Sequence, residues 1–538
     1  MTTSPSDRPR SRIAAIVTVL LLVLAAAMPQ ATIAARLVPP SPVAAGTGAP
    51  PGDPAATCAA LVKHDFSTLK DAPSLIVSAT AMPAGDLPAH CLVEGRIAPT
   101  IGFRLWLPLG TWNGRYAQSG CGGRCGHIID EECQVLVARG YACLAADMGH
   151  TGTMYDELWA IDNVPGEIDY GFRSTHVAAL AGKAVASFFY GRRPTRAYFL
   201  GASQGGRQGL VEAQDFPNDF DGIVAGEPRM ASPSNTPAQH ASIAAAKLLS
   251  SGPGGSALVS PAQLRAVNAY VVAKCDMDDN LKDGIISDPR RCRFDPVELA
   301  CKDDAVAARQ AAGDTCLTAS QVAVMRTVYR GTVDDAGRMV SPGPLPGSEL
   351  HWIGAYVAAD GGPGRWAPRY ARGMDEDPYA NIFVNSANPD LRAFKARGGK
   401  LILYMGWADE TNVPGPTVDY YETTERTMGG RAATQAFFRL FMVPGEGHIP
   451  IGTGAETVDY LSYLEAWVER GQSPDVLLGA KLKTHVRFAG PLSFASELGA
   501  DNVAFTRPIY PYPVQARYRG RGDPDDAASF EPKMPANP

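Results

Sequence analysis

After residue 35 the chain has no apolar run long enough to cross a bilayer, so no stable membrane insertion is expected of that part; a spanning helix needs about 20 apolar residues. A basic excess is missing too. Lys and Arg number 49 against 55 Asp and Glu, a formal net charge of −6. Nucleic acid is therefore not an expected partner, since such binders carry a basic footprint. No internal repeat is present, which removes solenoids and propellers. The glycine-rich stretch Ser119-Gly120-Cys121-Gly122-Gly123-Arg124-Cys125-Gly126 is not followed by Gly-Lys-Ser/Thr, so a phosphate loop is a weak reading of it. Histidine is scarce, at nine residues in 538, and each position is correspondingly informative.

What is present begins with Arg8, Arg10 and Arg12, an apolar run from Ile13 to Ala27, and small residues through Ala35. Positive head, apolar middle and small-residue exit predict a secretory signal over residues 1–35, with an uncleaved anchor as the alternative. A secreted or periplasmic protein is expected. Ten cysteines suit that oxidising compartment. Local spacing predicts disulfides Cys58–Cys91, Cys275–Cys292 and Cys301–Cys316. The pairing of Cys121, Cys125, Cys133 and Cys143 stays open, and zinc on Cys121, Cys125 and His127 is an alternative.

A Pro-, Ala- and Gly-rich lead-in covers 36–56. Over 57–228, strand-like runs at Phe103–Leu107, Arg115–Gln118, Tyr141–Ala146, Ala197–Leu200 and Gly222–Ala225 alternate with helical ones, of which Ser174–Tyr190 is the clearest. This alternation predicts a largely parallel sheet with helices on both faces. Residues 229–397 are loop-rich and read as a lid inserted over the carboxyl edge of the sheet. The strand pattern resumes over 398–515 at Lys400–Met405 and Phe437–Val443. A Pro- and Asp-rich tail, 516–538, reads as surface or disordered chain.

The apolar run Ala197–Leu200 leads into Gly201-Ala202-Ser203-Gln204-Gly205 and then a helix-compatible stretch. That is the pattern of a nucleophile elbow, a sharp strand-to-helix turn with the serine at its tip. A serine hydroxyl needs a histidine base and an orienting carboxylate, which follow in the order acid then histidine. Asp409, in Gly406-Trp407-Ala408-Asp409, and His448, in Pro444-Gly445-Glu446-Gly447-His448, each follow a resumed strand. Their bland alternatives are a turn-forming aspartate and an ordinary loop histidine. Glu410 and Glu446 are rival acids; His150 and His176 precede the serine and read as structural. The oxyanion donors are expected at the backbone N–H of Gln204 and at Gly122 or Gly123.

Four aspartates crowd Cys275-Asp276-Met277-Asp278-Asp279-Asn280-Leu281-Lys282-Asp283-Gly284-Ile285. Their repulsion invites a hard cation, and calcium is the expected cofactor. Leu281 and Ser287 stand where an EF-hand needs glycine and glutamate, so a true EF-hand is not expected; a solvated acidic loop is the alternative.

Taken together with Trp112-Asn113-Gly114-Arg115 and Asp147-Met148-Gly149-His150, these motifs resemble the tannase and feruloyl esterase family from about Cys58 to Pro513. The resemblance implies an α/β-hydrolase fold with a large inserted lid and a Ser203–Asp409–His448 triad. It also implies structural calcium on Asp276, Asp279 and Asp283 with the backbone oxygens of Leu281 and Ile285. Small-molecule esters of aromatic acids are the implied substrates. One departure matters: family members usually carry cysteines just before the serine and just after the histidine, joined by a disulfide. Here those positions are Ala202 and Ile449. The alternatives to an aromatic-acid esterase are an esterase for other monomers, such as polyester-derived ones, and a non-catalytic ligand-binding relative. Nothing in the sequence sets the oligomeric state.

Overall fold

The computed structural model describes residues 39–41, 46–156, 158–230, 239–302, 315–333, 336–366, 383–448, 452–484 and 500–535. The expected signal at 1–35 and Ile449 lie outside the described residues. A nine-stranded sheet organises the fold. Its strands are β1 (Ser74–Met82), β2 (His90–Ile97), β3 (Ile101–Pro108), β4 (Arg115–Ser119), β5 (Ala142–Ala146), β6 (Arg196–Ala202), β7 (Gly222–Gly226), β8 (Lys400–Gly406) and β9 (Phe438–Val443). The spatial order is β1-β2-β3-β5-β4-β6-β7-β8-β9. From β5 to β9 the five pairings are parallel. The three pairings that join β1, β2, β3 and β5 are antiparallel, so the sheet is mixed.

The parallel strands are legible because both their faces are covered: β5, β7 and β9 are buried at every residue, β5 and β7 reading as unbroken apolar runs and β9 interrupted by Arg439 alone. Helices α1 (Glu131–Ala138), α2 (Ser174–Tyr190), α3 (Gln204–Asp215), α4 (Gly415–Thr427) and α5 (Tyr460–Arg470) cover them. Phe199, Ile223, Leu401 and Leu403 pack on one face with Val177 of α2, Leu210 of α3 and Tyr421 of α4. Their alternates Tyr198, Leu200, Val224 and Ile402 pack on the other face with Leu136 of α1 and Leu461, Leu464 and Trp467 of α5. The period of two along each strand sends alternate side chains to opposite cores.

β7 and β8 pair directly, yet residues 227–399 lie between them in sequence. This excursion has its own core, with Leu249, Leu264, Val267, Val271, Met325, Trp352 and Tyr356 packed together. Of the two readings of the tail, surface or disordered chain, the structure shows surface chain, with residues 520–526 exposed. Gln515–Tyr518 pairs antiparallel with Phe530–Lys533, and Phe530 is fully buried, so residues 515–535 are folded and not disordered. Chain composition suggested solvation, but the pairing is tertiary. All ten cysteines are bonded: Cys58–Cys91, Cys121–Cys125, Cys133–Cys143, Cys275–Cys292 and Cys301–Cys316. Oxidation of Cys121 and Cys125 to each other removes the thiolates that zinc would need. Among the described residues no helix is long and apolar enough to cross a membrane.

Candidate active site

Ser203 stands between the end of β6 and the first residue of α3, with φ 61° and ψ −116°. Such a positive φ is costly for a residue with a Cβ and persists only where the surroundings hold it. Here its N–H donates to Gly226 O at 2.9 Å, and its carbonyl accepts from the N–H groups of Arg207 and Arg229 at 3.1 Å each. The turn demands glycine around it. A Cβ on Gly201 would sit 2.7 Å from the Gly205 backbone, and one on Gly206 would sit 2.1 Å from Gly226 O.

The carboxyl ends of β8 and β9 bring the partners. Trp407 N–H donates to Val443 O at 2.9 Å and Ala408 N–H to Glu446 O at 2.8 Å, which locks the two loops together. His448 Nε2 is 3.0 Å from Ser203 Oγ, and Nδ1 is 2.8 Å from Asp409 Oδ2. The other oxygen of Asp409 accepts from the N–H groups of Thr411 and Asn412, each at 2.8 Å. A carboxylate beside Nδ1 assigns the ring proton there and leaves Nε2 to accept from the serine.

The rival residues are engaged otherwise. Glu410 meets Arg365 at 2.6 Å through one oxygen, and its other oxygen accepts from the His448 N–H at 3.3 Å. Burial, then Glu456 and Asp409, push the Glu446 carboxyl far above the usual range. His150 stacks on Trp159 with ring centroids 3.8 Å apart and donates from Nε2 to Arg124 O at 2.7 Å. His176 stacks on Phe216 and pairs with Asp219. With these partners, neither ring is bonded to Ser203.

The glycine-rich loop backs onto the elbow: a Cβ on Gly120 would lie 2.6 Å from Gly205 Cα. Cys121 N–H donates to Gln208 Oε1 at 3.0 Å, so α3 anchors the loop as well as the serine. Gly123, at φ 58°, is packed on Met154, with 2.3 Å from its ideal Cβ to Met154 O, whereas a Cβ on Gly122 would meet only Ile129 Cδ1, at 3.9 Å. Gln204 follows the serine as the first residue of α3, where the free N–H groups and helix dipole favour negative charge.

One residue escaped the sequence reading. Glu227, at the end of β7 and fully buried, places Oε2 3.8 Å from His448 Nδ1. Ligand-type atoms of Glu227, Asp409 and His448 lie within 4.8 Å of one another, close enough to share a cation. Its signal was an acidic residue in a strand-end loop of an open sheet, where functional side chains converge.

The aspartate-rich loop follows a helix at Pro261–Cys275 and closes on the Cys275–Cys292 disulfide. Asp276 accepts from the N–H groups of Asp283 (3.3 Å) and Gly284 (3.0 Å), and Asp279 from Leu281 N–H and Ser287 Oγ at 3.0 Å each. Asp283 meets Arg507 at 2.7 Å. Burial and the neighbouring carboxylates push Asp279 up to about 6. Among the described residues no hydrogen bond reaches the carbonyls of Leu281 or Ile285. Three clustered carboxylates against one guanidinium leave a net negative site, and that donor set fits a hard cation. Asp278 instead turns toward Arg291, and Asn280 donates to Tyr518 O.

Comparison with known proteins agrees with this architecture. A family model described as tannase and feruloyl esterase matches residues 87–366 and 370–532. An uncharacterised esterase of Xanthomonas campestris pv. campestris is 32% identical over 87% of this chain and 90% of its own length. A mono(2-hydroxyethyl) terephthalate hydrolase of Piscinibacter sakaiensis is 31% identical over 84% of this chain and 86% of its own. The crystal structure of feruloyl esterase B from Aspergillus oryzae superposes with a TM-score of 0.73 at 26% identity, covering 89% of this chain and all of that one. The chain therefore belongs to the tannase and feruloyl esterase family and is a carboxylic ester hydrolase.

Proposed function

We propose that the chain is a secreted serine esterase that cleaves esters of aromatic acids through Ser203, His448 and Asp409. The hydrogen-bonded line from Ser203 Oγ through His448 to Asp409, set on a strained turn, carries this reading. His448 Nε2 takes the proton as Ser203 Oγ attacks the ester carbonyl carbon, and Asp409 stabilises the resulting imidazolium. The tetrahedral oxyanion is held by the N–H of Gln204 and one from the Gly122–Gly123 step. His448 then returns the proton to the departing alcohol oxygen, and water releases the acid from the acyl-enzyme by the same steps in reverse roles. Residues 229–397 act as the lid that shapes the acyl pocket.

The substrate class follows the names of the feruloyl esterase relatives; the Piscinibacter relative makes terephthalate-type monoesters the second class to test. Methyl ferulate, methyl gallate, a terephthalate monoester and p-nitrophenyl acetate, assayed side by side with Ser203→Ala, decide it. Cleavage of the aromatic-acid esters that vanishes in the variant is expected. Cleavage of the acetate alone would discard the substrate class, and activity surviving in the variant would discard the nucleophile.

Asp276, Asp279 and Asp283, with the carbonyls of Leu281 and Ile285, would hold calcium as a structural ion. Asp279, Asp283 and Ile285 of the loop line one pocket with Val443 and Pro444 at the end of β9, so the ion would steady the strand that delivers His448. Chelation should lower the melting temperature and calcium alone should restore it; an unchanged melt removes the ion. Five disulfides support export, testable by finding the chain without residues 1–35 outside the cytoplasm.

A further inference from the structure

Two carboxylates face the ring of His448. Asp409 makes the hydrogen bond to Nδ1 at 2.8 Å, and Glu227 Oε2 stands 3.8 Å from the same nitrogen. Glu227 is fully buried, and its backbone sits at φ 42°, a conformation that glutamate adopts only at a cost. It is pinned on both sides: its N–H donates to Tyr404 O at 2.8 Å, and its carbonyl accepts from Asn412 Nδ2 at 2.8 Å. The backbone N–H of that same Asn412 donates to Asp409, so one asparagine ties both acids into a single unit.

We propose that Glu227 is a second acid of the triad, a positioning residue that acts on His448 and never on substrate. This rests on the Ser203–His448–Asp409 reading. The positive charge appears on the imidazole only after the Ser203 proton reaches Nε2. A second buried carboxylate at 3.8 Å attracts that charge when it forms and has little to attract before, so its effect falls on the transition state. No bond to Glu227 forms or breaks. With Ala202 in place of a cysteine, no disulfide ends at the residue before the serine, and fixed charge and hydrogen bonds hold the histidine instead.

The test compares the parent with Glu227→Gln, Asp409→Asn and the double variant on an aryl ester, with Ser203→Ala as control. Glu227→Gln should lower kcat about tenfold with KM unchanged. Where the acid acts alone, an Asp-to-Asn change in such a triad costs about 10⁴ in kcat; here Asp409→Asn should cost about 10², and the double variant should reach 10⁴. The downfield proton resonance of His448 Nδ1–H should shift in Glu227→Gln, which a merely structural role would not require. Asp409→Asn alone losing 10⁴, or the double variant matching Asp409→Asn, overturns the proposal. If Glu227→Gln fails to fold, the size of the loss in Asp409→Asn still decides. Activity persisting in Ser203→Ala would instead overturn the triad itself; activity lost there with no response at Glu227 removes only the second acid.

Discussion

Two loops flank Ser203, and they are held by different means. The Gly120–Gly126 loop is stapled covalently by Cys121–Cys125 and anchored to α3 through Gln208. The Gly445–His448 loop shows no disulfide among the described residues; it is held by hydrogen bonds to Ala408, Glu410 and Asp409, with the Glu227 carboxyl 3.8 Å from the His448 ring. The two loops need different kinds of rigidity. An oxyanion donor is a backbone N–H with no side chain to steer it, so the backbone itself must be fixed. A histidine can be steered through its ring, and buried acids do that without a staple.

The largest effect is expected at the turn that carries Ser203. Gly206→Ala puts a methyl 2.1 Å from Gly226 O, so α3 must move off β7 and carry Ser203 with it. A shift of about 1 Å at reacting groups costs about 10² in rate, and we expect a loss of that size in kcat/KM with a lowered melting temperature. A variant of parental activity would mean that the elbow is not rigidly placed by β7. The next effect is smaller and separates the loops. Cys121→Ser with Cys125→Ser should lower kcat about tenfold and change KM less than twofold, because oxyanion donors act on the transition state. The Cys301–Cys316 bond closes a longer loop, so Cys301→Ser with Cys316→Ser should cost more in melting temperature and less in kcat. Equal kcat losses in the two pairs would erase the distinction.

How far the sequence carried is visible at particular residues. Ser203, Asp409 and His448 were legible because each follows a strand covered on both faces, whose apolar residues lead into a glycine-containing turn. β1 was not, because it lies at the sheet edge with Leu75 and Val77 exposed, and its Ser and Ala residues blur the alternation. The strands after Gln515 were hidden for the opposite reason, since their partners are set by tertiary contact and their composition is that of a loop. Glu227 follows β7 as Asp409 follows β8, but the triad pattern calls for one acid, after the serine and before the histidine, and Asp409 already fills it. The pairing of Cys121, Cys125, Cys133 and Cys143 had three solutions, and only the packing of α1 against β5 selects Cys133–Cys143.

The stapled loop also rests on an acid, and this yields the smallest effect. Glu132, in α1, is bonded to Ser119, the last residue of β4 before the glycines. Burial pushes its carboxyl from 4.5 up to about 8, with Ser119 pulling weakly the other way. Between those values the unfolded chain gives up a proton that the folded chain keeps. The unfolded state then binds fewer protons, so stability falls as pH rises. The contribution is complete below about pH 4.5 and is lost as pH climbs through about 8. Glu132→Gln stays neutral throughout. Its melting temperature should therefore fall less than the parent's between pH 5 and pH 9, by a few degrees, with the gap widest at the alkaline end. Parallel curves for the two proteins would mean that the Glu132 carboxyl ionises freely under the loop. The contrast between a loop held by a staple over a neutral acid and one held by hydrogen bonds beside buried acids would then fail on its stapled side.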